Sequence, residues 1–230
     1  MDRSDSRREV RSFLLGTLFG DCHVSSVCQW QWSNTTRDWV EWKAAYVRAN
    51  LKFPCEVSEY VDTTCRNGYM YRFTAAQSSG RLKIYRDWFY DKNGVKRITN
   101  KIRFLDHPIG LLALILDQGS CRGGLTKDNK TGNNYYRKPT IRIHLNKHSK
   151  QELELFQEAL KVNFNLKSSL QKKPGGYLDV YFSTSASQQL WSLIKDLVPN
   201  IPTARKKFLP FIFQTTNSKL VQRKRGVEFI

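Results

Sequence analysis

Phe13-Leu14-Leu15-Gly16-Thr17-Leu18-Phe19-Gly20-Asp21 and Gly110-Leu111-Leu112-Ala113-Leu114-Ile115-Leu116-Asp117-Gln118-Gly119-Ser120 are the two stretches that decide the fold. Each is apolar on nearly every side, carries small residues near helical spacing (Gly16 and Gly20; Gly110 and Ala113), and turns acidic or polar at its end. Small residues at that spacing let two helix backbones approach closely. An Asp at a helix C-terminus faces the negative end of the macrodipole and needs a cation nearby. Either stretch alone reads as a buried core helix with a solvated Asp after it. Two of them, one in each half of the chain, ask for more.

The surroundings of the two stretches repeat as well. The first helix spans Arg8 to Asp21, with Val10, Phe13, Leu14, Leu15, Leu18 and Phe19 on a broad stripe. Val27 to Ser33 alternates as a half-buried strand, Cys28, Trp30 and Trp32 against Gln29, Gln31 and Ser33. Thr36 caps a helix through Ala49. Strands Glu56 to Asp62 and Tyr69 to Ala75 join through Asn67-Gly68, and a short helix spans Leu82 to Tyr90. In the second half Pro108 starts a helix to Gln118, and a loop with Gly123, Gly124 and Gly132 leads to a strand from Thr140 to Asn146. There Ile141, Ile143 and Leu145 face in, and Arg142, His144 and Asn146 face out. Ser149 and Glu152 form a capping box for a helix to Asn163. Leu166–Gln171 and Tyr177–Phe182 make a hairpin around Pro174-Gly175-Gly176, a last helix covers Ser185 to Leu197, and Pro199, Pro202 and Pro210 break up the tail. The expectation is an α+β fold of two halves, 1–95 and 96–230, related by a pseudo-two-fold axis in one compact monomer.

The charge narrows the partners. Lys and Arg number 38 against 20 Asp and Glu, a net +18. Self-repulsion of that size is relieved by a polyanion, so nucleic acid or an acidic surface leads. The five cysteines have no C-x-x-C pair and the four histidines no H-E-x-x-H spacing, which removes zinc ribbons and zincins. No phosphate-binding glycine loop, dinucleotide fingerprint or nucleophile elbow is present. The longest apolar run, Ile109 to Leu116, is far too short to span a bilayer, and the charged N-terminus lacks the apolar region of a secretory signal. The expected setting is intracellular, with no membrane partner.

Together the two stretches, their spacing and the approach Lys101-Ile102-Arg103-Phe104-Leu105-Asp106-His107-Pro108-Ile109 resemble the LAGLIDADG homing endonucleases of the single-chain, two-motif type. The resemblance covers nearly the whole chain. It implies duplicated αββαββα units, motif helices packed at the centre, and two sheets forming a saddle over the major groove of double-stranded DNA. It also implies a site-specific double-strand break in a long, asymmetric target, made with Mg²⁺ or Mn²⁺. The family's metal-binding acid corresponds to Asp21 in the first copy and to Gln118 in the second; Asp117 beside it points about 100° away on a continuing helix. Asp21, Gln118 and Asp117 are the candidate metal ligands. Asp21 and Gln118, with Lys96 and Lys207 at the family's catalytic lysine positions, are the candidate catalytic set. Either lysine can equally be a plain phosphate contact. Gln118 carries no charge, and Cys22 replaces the motif's last glycine.

Alternation supplies the DNA-facing set. Gln29, Gln31, Arg72, Arg142 and His144 lie opposite the core residues, where Gln pairs with adenine and Arg with guanine. Lys127, Lys130, Arg137, Lys138, Lys167, Lys172 and Lys173 are expected on phosphates, positioning the duplex without reading it. The same family includes intron maturases, so an RNA-binding maturase or a cleavage-deficient DNA binder is the alternative, with intron RNA as a second partner. The resemblance also points to an intron-encoded protein of a mitochondrion or chloroplast.

Overall fold

The computed structural model describes residues 3–65, 68–75, 82–127, 132 and 134–225. The first half runs α1 (Arg3–Phe19), β1 (Cys22–Val24), β2 (Trp30–Asn34), α2 (Arg37–Leu51), β3 (Ser58–Val61), β4 (Tyr69–Ala75) and α3 (Lys83–Phe89). After a 3-10 turn (Asn100–Phe104) the order repeats as α4 (Pro108–Gln118), β5 (Gly119–Lys127), β6 (Asn134–Ile143), α5 (Lys150–Phe164), β7 (Ser169–Lys172), β8 (Leu178–Tyr181) and α6 (Thr184–Ile194). A further helix, α7 (Pro202–Arg225), comes last. The two sheets have the same strand order, β1-β2-β4-β3 and β5-β6-β8-β7, antiparallel throughout. Two αββαββα units with matching sheets are therefore present, as the family resemblance implies.

The motif helices explain the core. Residues 12–19 of α1 and 109–116 of α4 are buried. The small residues are where the helices meet: a Cβ added at Gly16 would stand 2.0 Å from the Gly110 carbonyl oxygen, and one at Gly110 would stand 2.3 Å from that of Ser12. The buried Ser12 hydroxyl also accepts from the backbone N–H of Asp106 and His107, both at 2.9 Å, tying α1 to the entry of α4. Pro108 sits in the first turn of α4, where its missing N–H costs nothing. Trp30, Trp32 and Phe73 line the inner face of the first sheet; Ile141, Ile143 and Val180 line that of the second.

Four readings change. Cys28 is outside the strand, in a turn at φ 59°, with its N–H on the Ser25 carbonyl; β2 begins at Trp30, and Gln29 therefore sits on the exposed turn. The three-residue β1 is too short for alternation to reveal. The glycine-rich stretch after α4 is strand β5, broken by a bulge between Arg122 and Gly124. Gly123, at φ 145°, crosses so near β6 that a Cβ would lie 2.7 Å from the Pro139 Cα. These glycines permit the bulge rather than ending the strand. Finally, the tail is helical despite its prolines. Pro202 opens α7, and Pro210 is carried inside it because Phe208 and Phe211 pack on Trp191, at 5.3 and 5.4 Å between ring centroids. The ties run back to the first half, where Thr203 donates from Oγ1 to Asp38 at 2.6 Å.

Candidate active site

α1 and α4 end side by side, and the polar residues at their C-terminal ends meet. Gln118 donates from Nε2 to Asp21 Oδ1 at 2.7 Å, across 97 residues of chain. Asn34, at the end of β2, donates to the other oxygen, Oδ2. Asp21 and Gln118 open on a cleft of about 560 Å³ whose lining includes His23, Tyr90, Lys96, His144, Lys147 and His148. Burial and the adjacent Asp117 carboxylate raise Asp21 to a pKa of about 6, against the pull of Lys43 and the hydrogen bond from Asn34. Burial and nearby cations depress His23, and burial lowers His148 despite its bond to Glu152. The charge balance of the cleft is thus one tempered carboxylate under a basic rim.

Lys96 and Lys207 stand in equivalent places. Lys96 donates to the carbonyls of Leu18 and, at 2.7 Å, Cys22. Lys207, from α7, donates to Ile115 and Leu116 at 3.0 and 2.6 Å. Each ammonium therefore caps carbonyls in the last turn of one motif helix, Leu18 in α1 and Ile115 and Leu116 in α4, where the macrodipole is negative. Burial lowers the pKa of both. An ammonium has three N–H groups, so these carbonyls do not exhaust either lysine.

Asp117 departs from expectation. Its side chain is turned into the core with no solvent exposure, against Lys43 at 2.9 Å, and Trp39 Nε1 donates to the same oxygen. Its other oxygen accepts the backbone N–H of Asp21 at 3.1 Å. With its lone pairs taken up this way, Asp117 faces the helix interface and not the cleft. Among the described residues no three His, Cys, Asp or Glu side chains gather as a metal cluster. Lys43, Trp39 and Asn34 are contributors the sequence reading missed. Lys43 was detectable: it lies four residues after Trp39 on the stripe that α2 buries.

The sequence profile of the LAGLIDADG DNA endonuclease family matches residues 11–190. The chain belongs to that family. Among solved structures, the homing endonuclease I-WcaI, bound to its DNA recognition sequence, has a TM-score of 0.65 at 17% identity over 87% of this chain and 85% of that one. The meganuclease I-SmaMI, bound to uncleavable DNA, has a TM-score of 0.54 at 11% identity over 90% of each chain. Full-length DUF199/WhiA from Thermatoga maritima has a TM-score of 0.50 at 16% identity over 95% of this chain and 68% of that one. At these identities the likeness is one of fold. A comparison with the curated proteins finds no match.

On this LAGLIDADG scaffold the outward sheet faces carry part of the expected DNA-facing set. Arg72 stacks on Tyr60 at 4.0 Å, and the Gln31 carboxamide oxygen, turned toward it, accepts from its Nε at 2.7 Å. Arg142 stacks on Tyr181 at 5.1 Å, its Nε buried and without a partner. Arg137, Lys138, Lys167 and Lys172 are exposed. The Lys127 side chain and all of Lys130 lie outside the described residues. Two readings are corrected. His144 has both ring nitrogens engaged, by Asp179 and Ser120 at 2.9 Å each, so it is no free base reader. Lys173 is paired to Asp179 at 2.7 Å and is not a loose phosphate contact.

Proposed function

We propose that this chain is a site-specific endonuclease that makes a double-strand break in a long, asymmetric DNA target by divalent-metal-dependent hydrolysis, acting as a monomer. One observation carries the reading: Asp21 and Gln118 meet at the ends of the two motif helices, on the floor of a cleft with a basic rim. Two non-identical halves, divided near residues 95 and 96, call for a target without a palindrome. The net charge of +18 suits a polyanionic partner.

The donor set fits Mg²⁺ or Mn²⁺ held in large part by the substrate. Such ions commonly take one or two carboxylates, with phosphate oxygens and water completing the shell. Asp21 would hold the ion, with the Gln118 carboxamide oxygen as a neutral second donor. Once bound, the ion would acidify a coordinated water and offset charge on the phosphate. The chain's own part is orientation. Asn34 and Gln118 fix the Asp21 carboxylate, and Lys96 and Lys207 hold the helix ends while offering remaining N–H groups to phosphate.

One feature favours a second reading. Gln118 turns its amide N–H toward Asp21, so the centre holds one charge where a paired-carboxylate site holds two. That suits a cleavage-deficient DNA binder or an RNA-binding maturase on the same scaffold. Incubation with a supercoiled plasmid library of randomised targets and Mg²⁺ or Mn²⁺ separates the readings. Linear product supports the endonuclease. Retained but uncut duplex indicates a binder, and retention of structured RNA alone indicates a maturase. An intron-borne reading frame in an organellar genome is the matching proposal for origin, checked by its genomic context.

A further inference from the structure

Gln31 and Arg72 meet on the outward face of the first sheet. They are diagonal neighbours on β2 and β4, for Gln31 is paired in register with Thr74 and Arg72 with Ser33. The Gln31 carboxamide oxygen accepts from Arg72 Nε at 2.7 Å and from Nη1 at 3.3 Å. The guanidinium carbon lies 4.0 Å from the centroid of the Tyr60 ring, on β3. Tyr60 is itself tied down, since its hydroxyl donates to Met70 Sδ at 3.1 Å. Gln31, Tyr60 and Arg72 are all half-buried, so side chains from three strands fix one cation before any base is met.

The direction of the Gln31 contact is set by a group that does not titrate. A guanidinium stays charged in a protein and carries donors alone. Only the oxygen end of a carboxamide can face it, and the contacts from Nε and Nη1 take up both oxygen lone pairs. Gln31 has its amide N–H groups left. Two-point recognition of adenine uses both ends of a carboxamide, an oxygen that accepts from N6 and an N–H that donates to N7. Gln31 cannot supply both ends while it holds Arg72. Arg72 keeps N–H groups at the Nη end of its fork, and the ring under it fixes the plane.

Resting on the DNA-binding reading above, we infer that Gln31 is a positioning residue and not an adenine reader: with Tyr60 it holds Arg72 so that the Nη end of the fork takes O6 and N7 of one guanine in the major groove. Two parallel hydrogen bonds to guanine require the plane of the fork to match the plane of the base. A fork held at its Nε side and stacked on a ring loses less freedom on binding than a loose one. The two side chains therefore act on one base pair. Residue type alone assigns them an adenine and a guanine at separate pairs; the contact between them replaces that with a single shared guanine.

The test is selection of bound duplexes from a random double-stranded library by the full chain, with sequencing of the retained pools. The wild type is compared with Arg72→Ala, Gln31→Ala, Gln31→Glu and the double variant Gln31→Ala/Arg72→Ala. Arg72→Ala should relax a guanine at one pair by about tenfold or more. Gln31→Ala should relax the same guanine about three- to tenfold, the effect of one net hydrogen bond, and leave every adenine preference intact. On the Arg72→Ala background it should add nothing at that pair, because the two residues work as a unit. Gln31→Glu keeps an acceptor for Arg72, so it should hold the guanine preference while its added charge weakens all duplexes alike. Misfolding of Arg72→Ala would not blunt the test, because the base that Gln31→Ala relaxes and Gln31→Glu keeps is read from the pools directly. If Gln31→Ala relaxes an adenine, relaxes a pair other than the one Arg72 reads, or relaxes none, the inference is overturned and DNA binding stands. Loss of the guanine preference in Gln31→Glu as complete as in Gln31→Ala overturns it too, as does a wild type that retains duplexes with no guanine preference. If the wild type retains no duplex, the DNA-binding reading itself falls and takes the inference with it.

Discussion

The Lys43 ammonium lies 2.9 Å from the Asp117 carboxylate, and neither side chain is exposed to solvent. Lys43 comes from α2 and Asp117 from α4, so the pair bridges the two repeats beneath the cleft. Gly20 makes the room: a Cβ there would stand 2.2 Å from Asp117 Oδ2. The carboxylate that the second motif carries at 117 is thus part of the helix interface. It stabilises the backbone of Asp21 while raising the proton affinity of the Asp21 side chain.

Breaking that pair from one side should be costly. Lys43→Met leaves a buried, uncompensated charge, and the expected loss is about 3–5 kcal/mol of unfolding free energy. The double variant Lys43→Met/Asp117→Asn should lose clearly less, because no charge is stranded. Urea unfolding of the wild type, both single variants and the double closes the cycle. A coupling near zero would mean that the pair contributes nothing as a unit.

Asp21 makes stability depend on pH without any metal. Its folded pKa of about 6 lies above the ordinary carboxylate value of about 4. A group raised in this way favours the folded state fully below its unfolded pKa, and that contribution is lost as pH rises through the folded value. Asp21→Asn removes the titration. The variant's melting temperature should therefore gain on the wild type between about pH 4 and pH 6, and hold a constant difference above. Melting curves in chelator across that range check it. An offset that is flat across the range would place Asp21 at an ordinary pKa.

The repeat was legible because its signals are periodic. The motif helices, the capping box at Ser149 and Glu152, and the alternation from Arg142 to Leu145 all come from spacing, and the structure bears them out. The misread segments are those where local rules yield to tertiary pairing. Gly123 and Gly124 read as a loop until β6 lies alongside, and Pro210 reads as a break until Trp191 covers that helix. At the site, alignment of the two stretches led to Asp21 and Gln118, which meet, and also to Asp117, which turns inward. The partners Asn34, Lys43 and Asp179 come from other elements, and no spacing along the chain links them to the motifs.

Arg142 and Lys172 should fail differently. The Arg142 guanidinium is held over Tyr181, restricted before any contact with a base, whereas Lys172 is exposed at the end of β7. Arg142→Ala should cost roughly 1–3 kcal/mol on a preferred duplex and relax one base pair. Lys172→Ala should weaken all duplexes alike and lower the salt slope by about one. Dissociation constants over a salt series, on preferred and altered duplexes, separate the two. Matching behaviour would count against Arg142 as a reader.

Gln118→Glu tests what the centre lacks. In the wild type the carboxamide donates to Asp21 at 2.7 Å. A glutamate there replaces a donor with a second negative charge, and like charges that close cannot both ionise without cost. In chelator the variant should therefore melt below the wild type at neutral pH. Added Mg²⁺ or Mn²⁺ should reverse the order of gains, because an ion that binds only the folded state raises stability with its concentration, and two carboxylates bind it more tightly than one. With a bound DNA duplex supplying phosphate oxygens, the variant should show the larger metal-dependent rise in melting temperature. Asp21→Asn should show little or none. If Gln118→Glu gains no more from metal than the wild type, the two side chains do not share an ion, and the centre must be read as a fixed hydrogen-bonded junction between the motif helices.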